Sequence, residues 1–315
     1  MSIKNNLIDC IGNTPLVHLD NFAKGIDAQL YAKLEMANPF SIKDRPVLFM
    51  ITEAEKRGEI DDNTTIIEAS SGNTAIALAM ICSVKGYRLI ICMSEIQSVE
   101  RRNVLIAYGA ELVLTPAELG TRGARDKARE LSDSIENSLY ICQHSNQDNV
   151  TAHFETTGPE LWRDTDGKID VLVCGLGTTG TAMGVANRIR PLNPDFKVIG
   201  VEPAESPYLK KGIFNPHRMM GTAPGWKPEI YDPANVDEIF LVSENEAFDT
   251  CRELISEEGI IAGITSGATA FAAREIARQK PFQGCHIVAI FADSGERYLS
   301  VKGLFDAGQQ GNMIS

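Results

Sequence analysis

Ile169-Asp-Val-Leu-Val-Cys-Gly-Leu-Gly-Thr-Thr-Gly-Thr181 reads in three parts: a β-branched apolar run, a glycine-rich turn, and the start of a helix. A strand that passes through such a turn into a helix is the unit of a parallel sheet covered by helices. The same alternation extends in both directions. Upstream, Pro46 suits the first turn of a helix carrying Val47, Met50, Ile51 and Ala54 on one face, with Gly58 as its stop. Strands follow at Thr64–Ala69, Arg88–Cys92, Glu111–Leu114 and Ser138–Cys142, with helices between them, one of them from about Gly123. Downstream come the strand Phe196–Val201, a helix Glu246–Glu258 closed by Gly259, a helix from about Gly267, and the strand His286–Phe291. Two such series, with a change near residues 143–168, imply an α/β protein of two domains. Pro203 to Pro233 holds six of the 14 prolines and reads as a long ordered excursion.

The 315 residues are 43% hydrophobic and 23% charged, which leaves no room for extensive disorder. A formal charge of −12 disfavours nucleic acid and anionic membrane as partners. The start, Met1-Ser2-Ile3-Lys4, lacks the pattern of a signal peptide, and the longest apolar stretch, Ala75–Val84, is too short to span a bilayer. Seven cysteines form no CxxC pair, and several end apolar runs, as at Cys92, Cys142 and Cys174. They read as reduced core residues, and the scattered histidines offer no metal site. The expected compartment is the cytoplasm.

Three elements carry chemistry. In Gly175–Thr181 the glycines admit a close ligand, free N–H groups open the helix, and Thr178, Thr179 and Thr181 add three hydroxyls. So many donors suit a phosphate dianion. The turn also matches GxGxxG, with Glu202 ending the next strand, so a NAD-dependent Rossmann oxidoreductase is an alternative from another class, as is a cofactor-free binding protein. Ser70-Ser-Gly-Asn-Thr74 offers N–H groups, hydroxyls and an amide at a helix start, a nest for a carboxylate. In Asn38-Pro-Phe-Ser-Ile-Lys-Asp-Arg45, Lys43 lies beside a helix start, where the dipole favours its free amine. An amine for an aldehyde, a phosphate cradle and a carboxylate nest together ask for pyridoxal 5′-phosphate and an amino-acid substrate.

These residues resemble the cysteine synthase (O-acetylserine sulfhydrylase) family of fold type II pyridoxal phosphate enzymes. The likeness runs through Ile11–Leu16, Ser41–Arg45, Ser71–Thr74, Glu100–Arg102, Tyr108–Ala110, Gly177–Thr181, Gly259–Gly267 and Asp293–Leu299. Thr156–Trp162 and the Gly-Thr-Thr-Gly-Thr loop look most like the B-type isozyme. The resemblance implies two three-layer αβα domains with mainly parallel sheets. The smaller would be residues 36–145 and the larger 1–35 with 146–315, the cofactor lying in the cleft between them. It implies that Lys43 holds the cofactor and moves the substrate α-proton, that Asn73 bonds the cofactor's 3′ oxygen, and that Gly177, Thr178, Thr179, Gly180 and Thr181 bind its phosphate. Ser266 would face the pyridine nitrogen, and Ser70, Ser71, Thr74 and Gln143 would hold the substrate carboxylate. The implied reaction replaces the acetyl ester of O-acetylserine with sulfur through an aminoacrylate to make L-cysteine. Cystathionine β-synthase and serine or threonine dehydratase are alternatives on the same fold. The resemblance also implies a homodimer. Serine acetyltransferase, a partner of A-type relatives, is not expected to bind.

Three departures stand out. One residue is missing before Ser41, leaving Phe40 where the family has a longer stretch. The substrate loop begins with Ser70 and ends in Ala75, where threonine and glycine are usual. The family's Gly-Ile-Gly-Ala-Gly-Phe appears as Gly221-Thr-Ala-Pro-Gly-Trp226, which bears on the nucleophile accepted: sulfide, thiosulfate or homocysteine.

Overall fold

A computed structural model describes residues 3–305. In chain order the strands and helices are β1 (Leu16–His18), β2 (Gln29–Leu34), α1 (Asp44–Arg57), β3 (Thr65–Ala69), α2 (Asn73–Lys85), β4 (Arg88–Ser94) and α3 (Val99–Ala107). Next are β5 (Glu111–Thr115), α4 (Gly120–Ser134), β6 (Ser138–Tyr140), α5 (Asp148–Ala152), a π-helical turn (His153–Thr157) and α6 (Gly158–Asp164). The rest is β7 (Ile169–Gly175), α7 (Gly180–Ile189), β8 (Lys197–Pro203), α8 (Tyr208–Lys211), β9 (Glu238–Val242), α9 (Glu244–Glu258), α10 (Ile264–Ala277) and β10 (His286–Phe291).

The chain forms two compact units. Unit 1 comprises Asn38–Ala152 with the described residues before Gly12; unit 2 comprises Gly12–Ala37 with the described residues from His153 onward. In unit 1 a wholly parallel sheet runs β5-β4-β3-β6. All five residues of β3 are buried, as expected of a strand covered on both faces. Unit 2 has a six-stranded sheet ordered β1-β2-β10-β7-β8-β9, parallel except for β1. Ile287, Ala289, Val171 and Val173 contribute to its core, where each fully buried large aliphatic side chain stabilises by about 1.5–3 kcal/mol.

Local chemistry explains most boundaries. Helix α1 buries Val47, Met50, Ile51 and Ala54 and stops at Gly58, whose φ of 69° is left-handed. Several boundaries differ from the sequence expectation, most strand ends by only one or two residues. Helix α9 begins two residues earlier than Glu246 because Ser243 and Glu246 form a capping box. Helix α4 starts at Gly120 rather than near Gly123. Helix α10 starts at Ile264 with Gly263 as its cap, so Gly267 is not a helix start. It is a packing position, where a Cβ would overlap the Ala247 carbonyl oxygen of α9. Strand β6 ends at Tyr140 because Cys142 takes a left-handed φ of 51° and accepts the Ser145 N–H in a turn. Among the described residues no helix is long and apolar enough to cross a membrane. All seven cysteines are free, and no metal-ligating cluster occurs among the described residues.

Candidate active site

Unit 1 gathers the lysine and the carboxylate nest. Lys43 is the N-cap residue of α1. The shortened segment before it is tied by Asp44, whose buried carboxylate accepts the N–H groups of Phe40 at 2.7 Å and Ser41 at 3.2 Å. The Lys43 N–H in turn donates to Ser41 Oγ at 3.2 Å, and Phe40 sits edge-on to Tyr108. One missing residue is thus absorbed by a closed local network.

Ser70, Ser71 and Gly72 connect β3 to α2, whose first residues are Asn73 and Thr74. The Gly72 N–H donates to Ser70 Oγ at 3.3 Å. Thr74 Oγ1 donates to Gln143 Oε1 at 2.8 Å, so two of the residues assigned to the substrate carboxylate are directly joined. Gln143 is held further by Asn149, which donates to its carbonyl at 2.9 Å, and by Glu68, which accepts its N–H at 3.3 Å. Burial pushes the Glu68 carboxyl up to about 7, against the N–H groups of Ala69 and Gln143 and the charge of Arg125. Burial, then the positive charges of Arg125 and Lys43, push the imidazole of His144 down to about 3, so it is neutral at neutral pH.

Unit 2 carries the glycine-rich turn and Ser266. Strand β7 delivers Gly175, and α7 opens at Gly180. A Cβ on Gly177 would overlap the carbonyl oxygen of Gly221, so only glycine fits there. A Cβ on Gly175 would come within 2.7 Å of the Thr265 methyl, which sets the start of α10, and with it Ser266, against the turn. Thr179 is left-handed at φ 72°, a conformation that costs a β-branched residue on the order of 1–3 kcal/mol. Its hydroxyl is buried and, among the described residues, has no hydrogen-bond partner. Thr181 Oγ1 lies 3.2 Å from His153 Nε2. Ser266 is fully buried, and its Oγ accepts the Ala292 N–H at 3.0 Å.

Glu202 decides against the dinucleotide alternative. Its carboxylate is buried at the end of β8 and accepts the N–H groups of Leu209 at 2.8 Å and Lys210 at 3.0 Å. It caps α8 and is not open to a ribose.

A family model described as pyridoxal-phosphate dependent enzyme matches residues 7–293. Cysteine synthase B of Salmonella typhimurium is 44% identical over 297 residues, 94% of this chain and 95% of that protein. The chain belongs to the cysteine synthase family of pyridoxal-phosphate dependent enzymes. O-ureido-L-serine synthase of Streptomyces lavendulae is 40% identical over 314 residues, 99% of this chain and 96% of that one. A crystal structure of an O-ureido-L-serine synthase superposes with a TM-score of 0.93 at 39% identity, covering 98% of each chain. A hydrogen sulfide-producing enzyme of Fusobacterium nucleatum gives 0.89 at 44% identity over 94% of this chain and all of that one.

Pyridoxal phosphate is the cofactor of this family, and the residues present fit it. Thr179 presents a buried hydroxyl in want of an acceptor, and the glycine at 177 lets the turn close around an anion. The sequence reading missed three residues that shape these parts. Glu68 is detectable as an acid inside an otherwise apolar strand, immediately before the carboxylate nest. Asn149 and His153 carry no such signal, since each reaches its partner only after α5 and the π turn have formed.

Proposed function

We propose that this enzyme replaces the acetyl ester of O-acetylserine with a sulfur nucleophile to make L-cysteine. The observation that carries the reading is the buried Thr179 hydroxyl, without a hydrogen-bond partner among the described residues, in a left-handed turn at the N-terminus of α7, which is equipped for a phosphate dianion. When bound, pyridoxal phosphate supplies an aldehyde that joins to amines and a ring that withdraws electrons from the substrate α-carbon.

The chain supplies the remaining work. Lys43 Nζ would hold the cofactor and, once released, take up the α-proton as a free amine. Gly177, Thr178, Thr179, Gly180 and Thr181 would hold the phosphate through backbone and hydroxyl donors, and Asn73 the 3′ oxygen. Ser70, Ser71, Thr74 and Gln143 would hold the substrate carboxylate, Gln143 through its amide N–H groups, since its Oε1 accepts from Thr74. Ser266 would offer the pyridine nitrogen a neutral hydroxyl, not a carboxylate. A neutral partner stabilises a protonated ring less, which favours expulsion of the β-substituent over long-lived charge at the α-carbon. We further propose a cytoplasmic homodimer with one cofactor in each chain and without serine acetyltransferase as a partner. The resemblance supports this arrangement, and the seven free cysteines accord with a reducing compartment.

Purified protein should be yellow, and Lys43→Ala should lose covalent cofactor attachment. Supplied with O-acetylserine, it should form cysteine from sulfide faster than it reacts with thiosulfate or homocysteine. Release of pyruvate without capture of any nucleophile would assign it to the dehydratases instead.

A further inference from the structure

Behind the glycine-rich turn lies a histidine that the reaction above does not use. His153 is 1% exposed and opens the π-helical turn. Its Nε2 is 3.2 Å from Thr181 Oγ1, and its Nδ1 is 2.9 Å from the fully buried Thr157 Oγ1. The ring is therefore bracketed by two hydroxyls, one of them in the proposed phosphate loop. Packing holds this bracket in place. A Cβ on Gly158 would come within 2.8 Å of the Arg188 side chain, so this glycine lets the helix carrying His153 approach α7. The Arg188 guanidinium lies 5.3 Å from the centre of the Phe154 ring, between the same two elements.

We propose that His153 is a positioning residue for the cofactor phosphate, its Nε2–H donating to Thr181 Oγ1 so that the Thr181 hydroxyl hydrogen turns to the phosphate. The inference rests on the reading of residues 177–181 as the phosphate loop and adds the residue that orients one of its donors. A phosphate dianion only accepts hydrogen bonds, and a threonine hydroxyl has one hydrogen to give. If His153 Nε2 were unprotonated, Thr181 would donate to it and present the phosphate with a lone pair. With Nε2 protonated, Nδ1 can accept from Thr157, and each hydroxyl has a single consistent direction. The π turn sets this register, since it fixes where residues 153 and 157 stand relative to α7.

The test uses holoenzyme with ¹⁵N-labelled histidine, ³¹P NMR of the bound phosphate, and equilibrium release of pyridoxal phosphate followed by its visible absorbance. Nε2 of His153 should be protonated. His153→Gln, whose amide nitrogen can replace the Nε2 donor, should keep the cofactor dissociation constant within about threefold, while His153→Phe weakens it by about tenfold or more, the range for a hydrogen bond serving a charged group. His153→Phe should also move the ³¹P resonance, and His153→Gln should return it towards the wild-type position. An unprotonated Nε2 in holoenzyme, or an unchanged dissociation constant in a folded His153→Phe, overturns the proposal. Wild-type protein that binds no pyridoxal phosphate overturns the phosphate-loop reading itself. Should His153→Phe fail to fold, the ¹⁵N spectrum of the wild type decides alone.

Discussion

Glu68→Gln isolates the charge buried beneath the carboxylate nest. Glu68 is 2% exposed, and its two oxygens accept the Ala69 N–H at 2.8 Å and the Gln143 N–H at 3.3 Å. Burial raises the carboxyl from an ordinary 4.5 to about 7. Arg125, Tyr140, Cys142 and Cys92 are among its charged and titratable neighbours. Between these two values the folded chain keeps a proton that the unfolded chain has released. The stability associated with that proton is full below 4.5, falls as pH rises towards 7, and stays lost above it. At 1.36 kcal/mol per pH unit the full loss is about 3 kcal/mol, of which about 2.5 kcal/mol falls between pH 5 and pH 8. Glutamine does not titrate, so the variant lacks this fall. Its amide presents only one acceptor to two N–H groups, a loss of about 1–3 kcal/mol that is constant with pH. Urea unfolding of wild type and variant at intervals from pH 5 to pH 8 separates the two effects, because all other titrations cancel in the difference. The difference in unfolding free energy should move by about 2.5 kcal/mol in the variant's favour across that range. Parallel curves would refute the reasoning, since they would mean that Glu68 does not titrate in the folded chain within that range.

Three further outcomes are expected. Gly177→Ala forces the turn away from the Gly221 carbonyl and should cost on the order of 1–3 kcal/mol while lowering retained cofactor; an unchanged melting temperature with full cofactor content would contradict the cradle. Lys33 is fully buried, with Nζ 2.8 Å from Glu160 and 3.2 Å from Asp164. Lys33→Met should therefore destabilise unit 2 by about 3–5 kcal/mol in urea titration, and a loss below about 1 kcal/mol would show the carboxylates to be otherwise compensated. Ser266→Ala strands the Ala292 N–H, at about 1–2 kcal/mol, and should shift the visible absorbance of bound cofactor; an unshifted spectrum would remove Ser266 from the ring's surroundings.

Much of this protein is determined by local pattern. The mainly apolar runs at 65–69 and 169–175, the glycine stops at 58 and 259, and the Gly-Thr-Thr-Gly-Thr turn act through backbone preference and short-range burial, which a linear reading contains. Lys43, Ser70, Ser71, Asn73 and Thr74 stand in two such segments, so their candidacy was legible without coordinates. Contacts across the sequence were not. That Glu202 caps α8 instead of facing a ribose follows from the excursion after β8 folding back on it. Gly267 serves packing against α9, not helix initiation, because its missing side chain matters only once the two helices meet. The links of Gln143 to Thr74 and Glu68, and of His153 to Thr181, join residues 69, 75 and 28 positions apart. The sequence by itself determined which chemical groups were present and which ones opened helices. Only the tertiary structure decided which group orients which, because a hydrogen bond depends on distance and direction between atoms whose separation along the chain carries neither.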